Sequence, residues 1–176
     1  MLHKVVQLGG KSYFWLEKTN VVSMIQEYQV SGFRVREYEE LGSTNTEAER
    51  VGWSELEDKM VILTYRQTQG RGQVGNHWES EPGKNISMTV VFKPRELPAG
   101  QQFAVSMVIA LGACDFISRY VNECSVKWPN DIYVGDRKIS GILIEHSIMG
   151  RYVGGSLCGI GVNINQEQFL SDAPNP

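Results

Sequence analysis

The segment directly after the glycine-rich run Gly70-Arg71-Gly72-Gln73-Val74-Gly75 narrows the possible folds more than any other feature. The run matches G-x-G-x-x-G, whose dinucleotide-binding reading needs a strand before it and a helix opening directly after it. Met60–Thr64 is a short apolar run that supplies the strand. The helix is missing: Asn76–Asn85 contains Pro82-Gly83 and leads straight into Ile86–Phe92, a β-branched, apolar stretch that Lys93-Pro94 ends as a strand. The dinucleotide reading is therefore rejected, and Arg66–Lys84 becomes a long, polar, glycine-rich loop.

The remaining patterns fill in the class. Val21–Val30 reads as one short amphipathic helix. Ser43-Thr44-Asn45-Thr46-Glu47 reads as a helix start, with Thr44 as N-cap and Glu47 at the third position completing a capping box. Gln102–Tyr120 is apolar nearly all round, which predicts a helix buried on most faces. Ile132–Val134 and Arg137–Glu145 flank Gly135-Asp136, a pair suited to a two-residue type II′ hairpin turn. Tyr152–Asn165 is a further strand carrying Gly154, Gly155, Gly159 and Gly161; glycine inside a strand marks a bulge or a close ligand approach. Strands and helices mix without a regular βαβ rhythm, so the fold class is α+β with a mixed, mainly antiparallel sheet.

At 176 residues the chain suits one domain with its own core. Its net charge of -3 argues against a nucleic-acid partner, which calls for a basic excess. Cys114, Cys124 and Cys158 are odd in number and lack C-x-x-C spacing, against both a disulfide framework and a zinc site. Met1–Tyr13 holds no apolar core of signal-peptide length, and Phe103–Ile117 is short for a membrane span. A cytoplasmic protein with no membrane partner is the expectation.

Two segments carry chemistry. In the long loop, glycines let successive backbone N–H groups converge on an anion, and Arg71 adds charge and a bidentate fork. The bland alternative is a flexible surface loop, but Trp78 would be wasted apolar area there. In Lys127-Trp128-Pro129-Asn130-Asp131, Pro129 keeps Trp128 extended, so a strand ends in a rigid turn presenting Asn130 and Asp131. Asx-turn chemistry alone would also explain those two residues. Lys138 opens the return strand and can reach the same pocket, although a lysine there is more often a solvated charge.

These segments occur in one order: Ser43-Thr44-Asn45, Gln67-x-x-Gly70-Arg71-Gly72, Lys127-Trp128-Pro129-Asn130-Asp131, Lys138-Ile139-Ser140-Gly141-Ile142-Leu143-Ile144-Glu145, and Gly159-Ile160-Gly161-Val162-Asn163. From about Tyr38 to Asn165 the chain resembles the catalytic domain of biotin–protein ligases. The resemblance implies a mixed sheet with helices against one side, related to class II aminoacyl-tRNA synthetases. It also implies activation of biotin by ATP to biotinyl-5′-AMP and transfer to a lysine of a biotin carboxyl carrier protein. Ser43, Thr44, Asn45 and Gln67 would then bond the ureido ring of biotin. Gly70, Arg71, Gly72 and Gln73 would form the loop over biotin and its adenylate, with Gly141 also on the biotin side. Lys138 would meet the carboxylate end. Trp78, Asn130, Asp131 and Asn163 would lie on the nucleotide side, with Mg2+ arriving with ATP and no resident metal. Arg71 and Lys138 would be the catalytic pair, because two anions must be brought together. A homodimer is compatible with this reading.

Two departures qualify it. Many relatives have arginine where this chain has Gln73, and often another at Asn76. Relatives also continue through further helices into a small β-barrel domain, whereas this chain ends at Pro176. The expected organisation is a poorly readable extension over residues 1–37 and a catalytic domain over 38–176 that stops short of that barrel. Rival readings are a lipoate–protein ligase of the same fold, a biotin-responsive repressor, and a module that binds biotin without turning it over.

Overall fold

A computed structural model describes residues 5–8, 11–14, 23–73 and 75–170. Val74 of the glycine-rich run, residues 1–4 and 9–10 of Met1–Tyr13 and the Asp172–Pro176 terminus lie outside them, as do Val21 and Val22 of the expected first helix. In chain order the elements are β1 (Val5–Leu8), β2 (Lys11–Phe14), β3 (Met24–Val30), β4 (Phe33–Tyr38), α1 (Thr44–Val51), β5 (Met60–Thr64), β6 (Gly70–Arg71), β7 (His77–Trp78), β8 (Asn85–Phe92), α2 (Phe103–Ile117), β9 (Cys124–Lys127), β10 (Asp131–Val134), β11 (Arg137–Met149) and β12 (Tyr152–Asn163). Strands β3-β4-β5-β8-β12-β11-β10-β9 form one eight-stranded sheet in that order. Every pairing in it is antiparallel except β4 with β5, which α1 joins as a crossover. The α+β class with a mixed, mainly antiparallel sheet holds.

The strand period of two separates the sheet's faces. On one face Met60, Ile62, Val91 and Leu157 form a buried cluster with Tyr38 at the end of β4, Leu41 before α1 and Ala48 of α1. On the other, Ile142, Ile160 and Val162 pack with Ala110 and Ile117 of α2, and Ile86, Met88 and Val90 extend that layer. The two helices therefore cover opposite faces rather than one side, because adjacent residues of β8 feed different cores. The hairpin joining β10 to β11 turns at Gly135, whose φ of +57° fits the glycine position of the expected II′ turn.

Three local expectations are corrected. Met24–Val30 is a strand, not part of a helix: it pairs with β4 as the exposed edge of the sheet, and its β-branched and aromatic residues suit that geometry. Helix α1 is preceded by an extended Ser43 (φ -152°, ψ 138°) that makes no side-chain cap, so no capping box forms. The Glu47 carboxylate is taken instead by Arg50 at 2.7 and 2.8 Å. Helix α2 is not buried on most faces: Val105, Ala110 and Ile117 are buried, while Met107, Val108, Leu111 and Phe116 are exposed. It meets the sheet along one stripe, and no described element packs on its outer side. With the short 3₁₀ turn before it, the apolar helical run reaches 19 residues, Ala99–Ile117, long enough to cross a membrane by length and composition. The inward stripe on the sheet gives it a role within the fold.

Candidate active site

On the α1 face of the sheet a cleft of about 520 Å3 opens between α1, the 66–84 loop and the strands β8, β12 and β11. Its floor is made of residues too small to fill it. Gly141, Gly159, Gly161 and Ser87 project from neighbouring strands at cleft-facing positions, in pairs Gly141↔Gly161 and Gly161↔Ser87. The loop supplies what the strands leave out. A Cβ at Gly161 would come within 2.3 Å of the Trp78 ring, and one at Gly141 within 2.8 Å, so the indole lies flat against the glycine pair. Gly159 leaves room for the Asn45 side chain, whose Oδ1 would stand 2.5 Å from a Cβ there. Of the other glycines in β12, Gly155 makes room for Trp53 and Gly154 for Met149, away from the cleft.

The loop reaches over the floor through a short ribbon, β6 paired with β7, which sets Gly70 opposite Trp78 and Arg71 opposite His77. Gly70 is required by this close approach: a Cβ would sit 2.3 Å from the Trp78 carbonyl oxygen. Between the two strands, Gly72 N–H bonds the Asn76 carbonyl at 3.0 Å and Gly75 turns at φ +87°. The chain then runs into β8, so the rejection of a dinucleotide motif stands.

At the α1 end of the cleft the polar groups bond to one another. Gln67 Oε1 accepts the Thr44 N–H at 2.9 Å. The Thr89 hydroxyl donates to Asn45 Oδ1 at 2.5 Å and shares a 2.8 Å bond with the Thr44 hydroxyl. Asn45 Nδ2 donates to Glu145 Oε2 at 2.8 Å and, more weakly, to the Leu143 carbonyl at 3.4 Å. Two cations border the cleft, each already beside an acid. Arg71 Nη2 lies 2.7 Å from Glu145 Oε2 and 3.3 Å from Glu49 Oε1. Lys138 Nζ lies 2.8 Å from Asp131 Oδ1 and 5.9 Å from the Trp78 ring centroid. By contrast Trp78 Nε1, Ser87 Oγ, Arg71 Nε and Asn163 Oδ1 are buried without a protein hydrogen-bond partner.

The turn before β10 is held by Asn130, whose Nδ2 donates to the Ile142 carbonyl at 2.8 Å while its carbonyl accepts the Ile142 N–H at 2.9 Å. The Trp128–Pro129 peptide is cis. Of the residues singled out in the sequence, Ser43, Thr44, Asn45, Gln67, Arg71 and Gly72 line the cleft. So do Gln73, Trp78, Asn130, Asp131, Lys138 and Gly141. Gly70 lies behind the wall, and Asn163 stands beside the cleft with its Nδ2 donating to the Lys138 carbonyl at 3.3 Å. Sequence reasoning flagged Gly159 and Gly161 as a bulge or a close ligand approach without assigning them to the site, and missed Ser87 as a cleft residue and Glu145 as the group joining Asn45 to Arg71. The alternation of Asn85, Ser87 and Thr89 with Ile86, Met88 and Val90 was the available signal that one face of β8 is polar.

The family model of the biotin/lipoate A/B protein ligases matches residues 38–163. The chain belongs to that family. Within this ligase family it is 30% identical to the bifunctional ligase/repressor BirA of Escherichia coli K12 over 164 residues, 92% of this chain and 50% of that protein. It is 26% identical to BirA of Bacillus subtilis 168 over 171 residues, 94% of this chain and 52% of that protein. A biotin protein ligase from Aquifex aeolicus, solved in complex with biotin and ATP, superposes with a TM-score of 0.63 at 26% identity, covering 78% of this chain and 55% of that one. The chain thus spans about half the length of the curated relatives it matches. The matched region of the ligase family runs from the end of β4 to the end of β12 and contains every cleft residue described above.

Proposed function

We propose that the chain activates biotin with ATP and passes the biotinyl group to a lysine of a biotin carboxyl carrier protein in the cytoplasm. The observation that carries this reading is the division of the cleft. One end offers neutral hydrogen-bonding groups, and two cations border the space between that end and the Trp78 wall. A fused cyclic urea needs fixed, uncharged partners, and Ser43, Thr44, Asn45 and Gln67 are of that kind. The carboxylate of biotin must approach the α-phosphate of ATP, and these anions repel. Arg71 and Lys138 supply opposing charge where that repulsion and the charge of the transition state fall. The carboxylate oxygen bonds to the α-phosphorus as the bond to the β-phosphate oxygen breaks, and pyrophosphate leaves. The carrier amine then attacks the acyl carbon, AMP leaves with the bonding electrons, and the ammonium proton passes to water.

Mg2+ binds in such sites through triphosphate oxygens and one or two carboxylates. Asp131, next to Asn130 on the cleft wall, would be the carboxylate that holds it. Among the described residues no group of three or more His, Cys, Asp or Glu could hold a resident metal. The ion's contribution would be charge neutralisation on the phosphates.

The deciding experiment is biotin-dependent exchange of labelled pyrophosphate into ATP by the full chain. Exchange above a no-biotin control is expected. Biotin binding without exchange would reduce the chain to a binding module, and exchange supported by lipoate instead would assign it to the lipoate branch of the family.

A further inference from the structure

Glu145 has no role in the proposed reaction, yet two residues that do have one converge on it. It comes after Gly141 and Leu143 along the cleft-facing side of β11, and its Oε2 accepts from both Arg71 Nη2 and Asn45 Nδ2. A carboxylate in an ion pair only accepts hydrogen bonds. It therefore dictates which end of the Asn45 amide can face it. The NH2 group must turn toward Glu145 and the Leu143 carbonyl, which occupies both of its hydrogens. Oδ1 must point the other way, over Gly159 of the cleft floor, where it takes the Thr89 hydroxyl. Asn45 lines the cleft but is only 2% exposed, so on the side turned away from the cleft water does not replace Glu145 and the Leu143 carbonyl as partners of its NH2 group. An amide oxygen has two acceptor positions, and Thr89 fills one. The other remains an acceptor for whatever occupies the cleft.

We propose that Glu145 is a positioning residue that locks Asn45 with its amide oxygen toward the cleft, and so selects a ligand bearing an N–H donor at that point. The proposal rests on the biotin reading above and deepens it. A cyclic urea carries such a donor; a dithiolane of similar bulk carries none. Glu145 itself need not touch the ligand. Without it, the Asn45 amide is free to rotate by half a turn and offer its NH2 group instead, and the preference for a donor is lost.

The test is a binding cycle on the full chain by isothermal titration, using biotin and two cyclic-carbamate analogues in which one or the other ureido N–H is replaced by oxygen. The parent chain should bind at least one analogue about tenfold or more weaker than biotin, the scale of one buried hydrogen bond turned repulsive. In Glu145→Ala, biotin itself should weaken about tenfold while the analogue penalty shrinks to less than about threefold. Glu145→Gln is near-isosteric and can still accept through its amide oxygen, so it should fall between the two; it carries the test if the alanine variant does not fold. Equal analogue penalties in the parent and either variant would overturn the positioning role and leave the biotin reading intact. A parent chain that binds no biotin would overturn both.

Discussion

At the α1 end of the cleft, Thr44, Asn45, Thr89 and Glu145 are bonded to one another before any ligand is considered. Toward the opposite wall, Trp78 Nε1 and Ser87 Oγ are equally buried but have no protein partner. The first arrangement holds a fixed template, with its conformational cost met by the fold. The second leaves polar groups that solvent or a ligand atom must complete. A single cleft thus pairs a half whose polar groups are fixed by one another with a half whose polar groups are left without protein partners.

The largest effect expected from breaking this division comes at the Trp78 wall. Gly161→Val would drive a side chain into the indole, which a Cβ already meets at 2.3 Å. Pyrophosphate exchange should fall by about a hundredfold or more while stability falls by about 1–3 kcal/mol, an overpacking cost. Equal exchange in parent and variant would show that the wall is dispensable. Next, Thr89→Val should cost about 1–3 kcal/mol in urea unfolding by stranding Asn45 Oδ1 and the Thr44 hydroxyl. Ser87→Ala on the same strand should stay within about 0.5 kcal/mol, since no protein bond is lost. Similar losses at both positions would erase the contrast.

A subtler effect concerns the loop between the halves. Gln73 brings no charge where many relatives carry arginine, so Gln73→Arg should slow adenylate dissociation by about tenfold in a chase experiment. An unchanged rate would mean that Arg71 alone sets retention. The smallest effect lies outside the cleft. Burial lowers the pKa of His146 below its ordinary 6.5, and its Nδ1 lies 2.8 Å from Ser156 Oγ on the α2 face. The folded state therefore favours the neutral ring. Stability should be full above pH 6.5 and decline as pH falls through 6.5 toward the lower folded value, as the unfolded chain binds the extra proton. His146→Gln should flatten that slope in pH-dependent melts without changing exchange.

Much of the fold is legible in local chemistry. Strands β5 and β8, the Gly135-Asp136 turn and the glycine-bearing β12 announce themselves through branched side chains and turn residues. Strand β3 does not, because an edge strand exposed on both faces has no buried alternation, and its pairing with β4 is a tertiary fact. Helix α2 is legible as a helix but not in its burial; an all-round apolar surface does not say which stripe meets the sheet. The cleft obeys the same rule. Residues grouped in short motifs can be found in the sequence, whereas Glu145 reads there only as the end of its motif. Its partners stand 74 and 100 residues away in sequence, and only the pairing of strands brings them together.

The glycine pair beneath Trp78 has a mechanical consequence. Because Gly141 and Gly161 contribute no side chains, the back of the cleft is formed by an indole carried on the loop. Any hinge motion of that loop would move the rear wall together with the cover. Depth and access would then change as one coordinate, so a ligand could not be admitted without also altering the shape that receives it. A family built on this sheet can accordingly retune what it encloses by exchanging loop residues, with its strands left untouched.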